Sequence, residues 1–141
     1  MRITKYLLII IITTLSTHYG CTTTPDYVID NSTALNCADG FIKCLYRGAF
    51  EPARVVTLPN TANEACLKKY IFQYNQFITK EKKQQYKNAS AVYNDTEYIN
   101  DSTVILHYKD PIMNQNQPPL KVIKQGNAWL VDFAYYCSGN V

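Results

Sequence analysis

Residues 120–133 read LKVIKQGNAWLVDF, a pattern typical of a β-hairpin. Two runs rich in Val, Ile and aromatic residues flank QGN (residues 125–127), whose glycine suits a tight turn. The second run continues as AWLVDFAYYC, and we predict one final strand over residues 128–137. Because side chains alternate between the faces of a strand, one face is expected to pack on a long helix, and it carries Trp129, Val131, Phe133 and Tyr135.

Similar runs upstream predict the rest of an antiparallel sheet. Segments 88–94, 97–109 and 118–125 are rich in Val, Ile, Tyr and Thr and are separated by turn-forming residues. Together with the last strand they predict a four-stranded meander. Residues 110–119 (DPIMNQNQPP) are expected to form a polar loop between two of its strands.

Three helices are predicted before the sheet. The first begins after the cap residues 31–33 and ends at Gly48, and its apolar face carries Leu35, Ala38, Ile42 and Leu45. Residues 51–58 (EPARVVTL) predict a short second helix. The capping box TANE (61–64) opens the long third helix, whose apolar stripe contains Cys66, Leu67, Tyr70, Ile71, Tyr74, Phe77 and Ile78. The basic run 80–87 (KEKKQQYK) is interpreted as a solvated helix end.

The predicted fold class is therefore α+β. Three N-terminal helices are expected to pack on a curved, mostly antiparallel four-stranded sheet. Residues 31–141 have the length of one domain, and nearly half of the chain is hydrophobic, enough for a core without metal.

The order of these segments resembles a small bacterial lipoprotein family. RGAFEPARV (47–55) between the first two helices and the hairpin at 120–133 are similar to a domain of unknown function, number 4878, of the nuclear transport factor 2-like (cystatin-like) superfamily. The family's usual ending is matched by a strand, Gly126, and then Trp129, Val131 and Asp132. Ala49 departs from the acidic residue that normally follows the glycine of the family's turn. Over roughly residues 30–135, the resemblance implies a cone-shaped sheet around a long helix, with a pocket at its open end.

The N-terminus has the pattern of a secretion signal. Two basic residues precede an apolar run at 7–12, which is shorter than the roughly 20 residues that cross a bilayer. We interpret residues 1–20 as a lipoprotein-type signal peptide, Cys21 as the lipidated residue and 21–30 as a polar tether, with the outer membrane as the expected destination. Ordinary cleavage after Ser16, which would release a secreted protein, is the alternative.

The charge of the mature chain argues against nucleic acid as a partner. Without the two basic residues of the signal peptide, twelve basic residues stand against eleven acidic ones, so the net charge falls from +3 to +1. Such a domain has no electrostatic footprint for nucleic acid. The sequence also has no Gly-rich phosphate loop and no metal-ligand spacing, so neither a cofactor nor a metal is predicted.

Four cysteines besides Cys21 are candidates for two disulfides in a secreted protein. Cys37 and Cys44 are separated along one predicted helix by about 10.5 Å of rise, beyond the roughly 7 Å that a disulfide spans between Cα atoms. Pairing is therefore expected as 37–66 with 44–137, or as 37–137 with 44–66. Free buried thiols are the other interpretation.

Twelve tyrosines are the most unusual feature of the composition. Tyrosine combines a large apolar ring with a polar tip, and we predict that Tyr70 and Tyr74 line a cleft. His107 and Asp132 are the candidates for a general base in that pocket, since related folds such as ketosteroid isomerase use an Asp or His base with Tyr partners. Both residues also fit ordinary strand positions, so no catalytic residue is predicted.

Three functional hypotheses follow. The favoured one is a lipid-anchored accessory protein of the bacterial envelope, whose non-enzymatic domain binds an envelope protein or a small apolar ligand. An isomerase or dehydratase using the pocket is an alternative. A secreted, disulfide-bonded glycoprotein of a eukaryote or virus is another, because N-x-[ST] sequons begin at Asn31, Asn88, Asn94 and Asn100.

Overall fold

Five helices and four strands follow one another along residues 27–139, the part of the chain that the computed structural model of this protein describes. The helices are α1 (Ala34–Arg47), α2 (Phe50–Val55), α3 (Thr61–Phe77), α4 (Lys80–Tyr86) and α5 (Phe133–Cys137). The strands are β1 (Val92–Asn100), β2 (Thr103–Lys109), β3 (Leu120–Gln125) and β4 (Ala128–Asp132). The predicted signal peptide and Cys21 lie outside the described residues.

The four strands form one antiparallel sheet in the order β1-β2-β3-β4. The predicted α+β class and four-stranded antiparallel meander are thus confirmed. The hairpin between β3 and β4 turns at Gly126, whose φ of 61° lies in the left-handed region that favours glycine. On the other side of β4, the Leu58 backbone N–H donates to the Val131 carbonyl at 2.9 Å, so the segment after α2 covers this edge of the sheet.

The first hairpin of the sheet is positioned differently from the prediction. The break expected between residues 94 and 97 lies inside β1, and the chain turns instead between Asn100 and Thr103. There the Ser102 backbone N–H donates to Asn100 Oδ1 at 2.9 Å. Asparagine side chains stabilise turns in this way, so the polar segment at 100–102 forms the turn.

The final strand is shorter than predicted. β4 ends at Asp132, and FAYYC (133–137) forms α5. Two contacts with α3 hold this helix. Asn63 Oδ1 accepts a hydrogen bond from the Ala134 backbone N–H at 2.6 Å, and Cys66 forms a disulfide with Cys137. The predicted strand over 133–137 is therefore wrong, because long-range contacts favour a helix in a segment whose apolar residues fit either structure.

The first helix agrees with the prediction in its bounds. Thr33 Oγ1 accepts from the Asn36 backbone N–H at 3.1 Å, and Gly48 follows the helix with a φ of 72°. Leu35 was expected on the buried face, but it is 49% exposed. The other three predicted residues, Ala38, Ile42 and Leu45, are buried as expected, and Cys37, Phe41 and Cys44 are buried with them.

Four helices precede the sheet, instead of the three predicted. Asn60, rather than Thr61, caps α3 by accepting from the Asn63 backbone N–H at 2.9 Å, so the TANE capping box is wrong. The basic run predicted as a helix end is a separate helix, α4. Thr79 begins it by accepting from the Lys82 backbone N–H at 3.3 Å. Phe77, expected in the apolar stripe, is 72% exposed.

The core lies between α1 and the inner face of the sheet. Alternation along the strands places the fully buried side chains on that face, and they include Val104, Leu106, Leu120, Val122 and Val131. Cys37 of α1 donates its thiol hydrogen to the Trp129 carbonyl at 3.1 Å. We predicted that this face of β4 packs on the long helix α3, but it packs on α1. Trp129 itself is only half-buried.

Candidate functional site

A partly open cavity of about 140 Å³ lies between the helices and one end of β2. Its walls come from α1, α3, α4 and α5, from β2, and from the loop that follows β2. Six of its twelve lining residues are tyrosines: Tyr46, Tyr70, Tyr74, Tyr86, Tyr108 and Tyr136. Half of the twelve tyrosines of the chain thus surround one cavity.

Helical and strand periodicity bring these rings together. Tyr70 and Tyr74 lie one turn apart on α3, so they share a face. Tyr74 Oη donates to the Tyr46 carbonyl at 3.2 Å, which joins α3 to the end of α1. The Tyr46 ring packs on Tyr86 of α4 with a centroid distance of 4.9 Å. Tyr108 is 4% exposed on the inner face of β2.

The hydroxyl group of Tyr46 has no hydrogen-bond partner within residues 27–139. The residue is only 7% exposed, and it lines the cavity. An unsatisfied buried hydroxyl costs about 1–3 kcal/mol. Burial and, after it, the negative charge of Asp110 raise the pKa of Tyr46, so the group is neutral and can both donate and accept.

Asp110, in the loop after β2, is the acidic residue of the cavity wall and is 4% exposed. Tyr86 Oη donates to its Oδ2 at 2.5 Å. The backbone N–H groups of Ile112 and Met113 both donate to its Oδ1 at 2.8 Å. All three partners are donors, as an ionised carboxylate requires. Sequence reasoning missed this residue, although an Asp before a Pro is a signal for a turn.

Two of the four predicted pocket residues line the cavity, and two do not. Tyr70 and Tyr74 are wall residues. His107 lies on the outer face of the sheet, with Nε2 2.7 Å from Glu97 Oε1. Asp132 lies on that face too, with Oδ2 3.4 Å from Lys121 Nζ. Their placement in the pocket is therefore wrong, because strand alternation directs both away from the core.

The structure pairs Cys66 with Cys137, with a Cα–Cα distance of 6.0 Å, and leaves Cys37 and Cys44 as buried free thiols. Both predicted connectivities are wrong, because they assumed that all four cysteines pair. The helical form of residues 133–137 brings Cys137 to α3. This disulfide holds two cavity walls together, since α5 carries Tyr136 and α3 carries Tyr70.

Comparisons with known proteins provide no assignment for this cavity. The chain matches no family model, no curated protein and no solved structure. Within residues 27–139, no group of three or more His, Cys, Asp or Glu side chains is arranged to hold a metal ion. Across the same residues, no helix combines the length and hydrophobicity that crossing a bilayer requires.

Proposed function

We propose that this protein is a lipid-anchored component of a bacterial envelope whose domain binds a small ligand in the tyrosine-lined cavity. The ligand would have an apolar body and one group that hydrogen-bonds Tyr46. The observation that carries the proposal is the buried Tyr46 hydroxyl, which lines the cavity and has no hydrogen-bond partner within residues 27–139. Buried polar groups are normally satisfied, so a ligand is the partner that this hydroxyl lacks.

The dimensions and lining of the cavity support a small, mostly apolar molecule. Its volume of about 140 Å³ is close to that of an engineered apolar cavity of about 150 Å³ that binds benzene. Aliphatic side chains such as Ile42 and Leu45 complete the wall between the tyrosine rings. Ligand sites typically combine such an apolar lining with a few placed polar groups.

Binding is proposed rather than catalysis because Asp110, the acidic group of the cavity wall, is held in place by hydrogen bonds and the two predicted base candidates lie outside the cavity. Asp110 already accepts three hydrogen bonds through its two oxygens. His107 contacts Glu97 and Asp132 contacts Lys121, both on the outer face of the sheet. A general base must lie within hydrogen-bond reach of the substrate proton, and the two predicted candidates do not line the cavity.

The location and the family form the remaining part of the proposal. The signal peptide pattern with Cys21 supports an anchor in the outer membrane. The resemblance to the nuclear transport factor 2-like superfamily stays a prediction. It is supported by the position of the cavity, which lies between helices and the inner face of an antiparallel sheet.

Phenol and toluene test the binding site, because phenol carries a hydroxyl group where toluene carries a methyl group and the two are otherwise identical. Each would be titrated into the protein and followed by NMR at the tyrosine ring signals. We expect phenol to bind more tightly, and Tyr46→Phe to weaken phenol binding about tenfold while leaving toluene binding unchanged. Tyr98→Phe is the matched control, because Tyr98 is 77% exposed and does not line the cavity. If neither compound, nor any other small molecule of this size that carries a hydroxyl group, shows saturable binding, the proposed function is wrong.

A further inference from the structure

We infer that the cavity binds a small methylated ammonium cation, a ligand class that deepens the proposed function and rests on it. Three observations lead to this class. The cavity wall contains a buried carboxylate without a cationic partner. It contains six tyrosine rings. It has no Lys, Arg or His among its lining residues.

The first observation is the unpaired charge of Asp110. Its three hydrogen-bond donors, Tyr86 and two backbone N–H groups, are all neutral. No Lys, Arg or His of residues 27–139 forms an ion pair with it. Buried charges in proteins are normally paired or bind a metal ion. The missing positive charge is therefore assigned to the ligand.

The negative charge of Asp110 acts on two tyrosines of the cavity wall. Besides burial, this charge raises the pKa of Tyr46 and of Tyr136, because it disfavours a second negative charge nearby. The same charge attracts a cation. It would repel an anionic ligand, since like charges repel more strongly at a partly buried site than in bulk water.

The tyrosine rings favour an organic cation over a metal ion. Aromatic faces attract ammonium groups, and cages of aromatic side chains are a known means of binding methylated ammonium. Lys83 already uses one wall ring in this way, with Nζ 4.8 Å from the Tyr74 ring centroid. A Ca²⁺ ion would need six to eight oxygen ligands, whereas aliphatic side chains such as Ile42 and Leu45 occupy part of this wall.

The volume of the cavity and the unpartnered hydroxyl of Tyr46 indicate the size of the ligand and a second functional group on it. A space of about 140 Å³ suits a group of the size of trimethylammonium. Tyr46 can then hydrogen-bond a hydroxyl group carried by the same molecule. Lys82 and Lys83 extend from α4 toward Met113 and Tyr74 of the wall. Because these two lysines repel other cations, they lower the affinity of the cavity for a cationic ligand.

Choline and its uncharged isostere 3,3-dimethylbutan-1-ol test the inference on the unaltered protein. The two molecules share shape and hydroxyl group and differ in charge. Isothermal calorimetry is expected to show choline binding at least about tenfold more tightly. Asp110→Asn should reduce the affinity for choline about tenfold or more and leave that for the isostere within about twofold. Asp132→Asn, which removes a carboxylate from the outer face, should change neither.

The outcomes separate this inference from the proposed function. Equal binding of the two compounds, or binding of phenol without binding of choline, would overturn the cationic ligand and leave a small-molecule site. Absence of binding by choline, the isostere and phenol would overturn both. The comparison of the two ligands on the unaltered protein does not depend on the folding of Asp110→Asn, whose thermal unfolding would be measured alongside.

Discussion

Two cysteines of α1 are enclosed by the core although neither forms a disulfide. Cys37 is 0% exposed and Cys44 is 1% exposed. Burial raises the pKa of Cys37 to about 12 and that of Cys44 to about 11. The Cys37 thiol also donates to the Trp129 carbonyl, so it acts as a link between α1 and β4. Both thiols are structural, since reactive cysteines have lowered pKa values and are partly exposed.

Iodoacetamide at pH 8 should therefore leave both thiols unmodified in the folded protein. A thiol with a pKa of about 11 is a thiolate in only about one molecule per thousand at that pH. In urea, where the pKa returns to about 8.5, Cys37 and Cys44 should react. Cys66 and Cys137 should react only after reduction. Peptide mass mapping would locate each modification, and rapid reaction of Cys37 in the folded protein would contradict its burial.

At the level of elements, the end of α1 also shapes the cavity. Gly48 has a φ of 72°, and its backbone N–H donates to the carbonyls at the end of the helix. A Cβ atom at this position would lie 3.0 Å from Cε1 of Tyr74, a wall residue. Gly126 in the β3–β4 turn has a similar φ of 61° but no atom within 4 Å of such a Cβ. A side chain at Gly126 would therefore meet backbone strain alone, whereas one at Gly48 would meet both backbone strain and a steric contact.

Gly48→Ala and Gly126→Ala should consequently differ in their effect on stability. Left-handed backbone costs a non-glycine residue about 1–2 kcal/mol, and this is the whole effect expected at Gly126. Gly48→Ala should lower the free energy of unfolding further, by about 2–3 kcal/mol in total, because Tyr74 must also move. Urea unfolding of both variants would measure the difference. Equal losses of unfolding free energy in the two variants would show that Tyr74 moves aside without destabilising the protein.

Local sequence was sufficient for elements with their own end signals. The α1 helix has a threonine cap and a following glycine, and the β3–β4 hairpin has Gly126 at its turn, so both were predicted. Residues 133–137 have no such signal. Their helix depends on Asn63 and Cys66 of α3, about 70 positions earlier in the chain. Sequence periodicity cannot report contacts of that separation.

At the scale of the whole molecule, the cavity could be predicted only in part. Tyr70 and Tyr74 were found because they share one face of a long helix. Asp110 was not, because its role requires Tyr86 and a turn to converge on a side chain in a polar loop. Tyr136 was placed on a strand, and only the α5 helix brings it to the wall. The cavity is thus a product of tertiary packing.

The folded domain begins inside the segment 21–30 that was predicted to be a polar tether. Ile29 is 6% exposed, and its side chain lies where a Cβ on Gly40 of α1 would be. Asp30 accepts hydrogen bonds from the Ser32 backbone N–H and from Asn36. Only eight positions separate Cys21 from Ile29. Even fully extended, that segment reaches no more than about 29 Å, so a lipid on Cys21 would keep the domain close to the membrane surface.

Cys21→Ala tests this anchor in a bacterial host that processes lipoproteins. A lipid-anchored protein should incorporate labelled fatty acid and sediment with membranes, and the variant should do neither, because the lipid is attached through the cysteine sulfur. The domain should still fold, since the Cys66–Cys137 disulfide does not involve Cys21. Thermal unfolding of the released variant provides the control for folding. If the unaltered protein is already released without label, cleavage occurs near Ser16, and the short connection to the membrane does not exist.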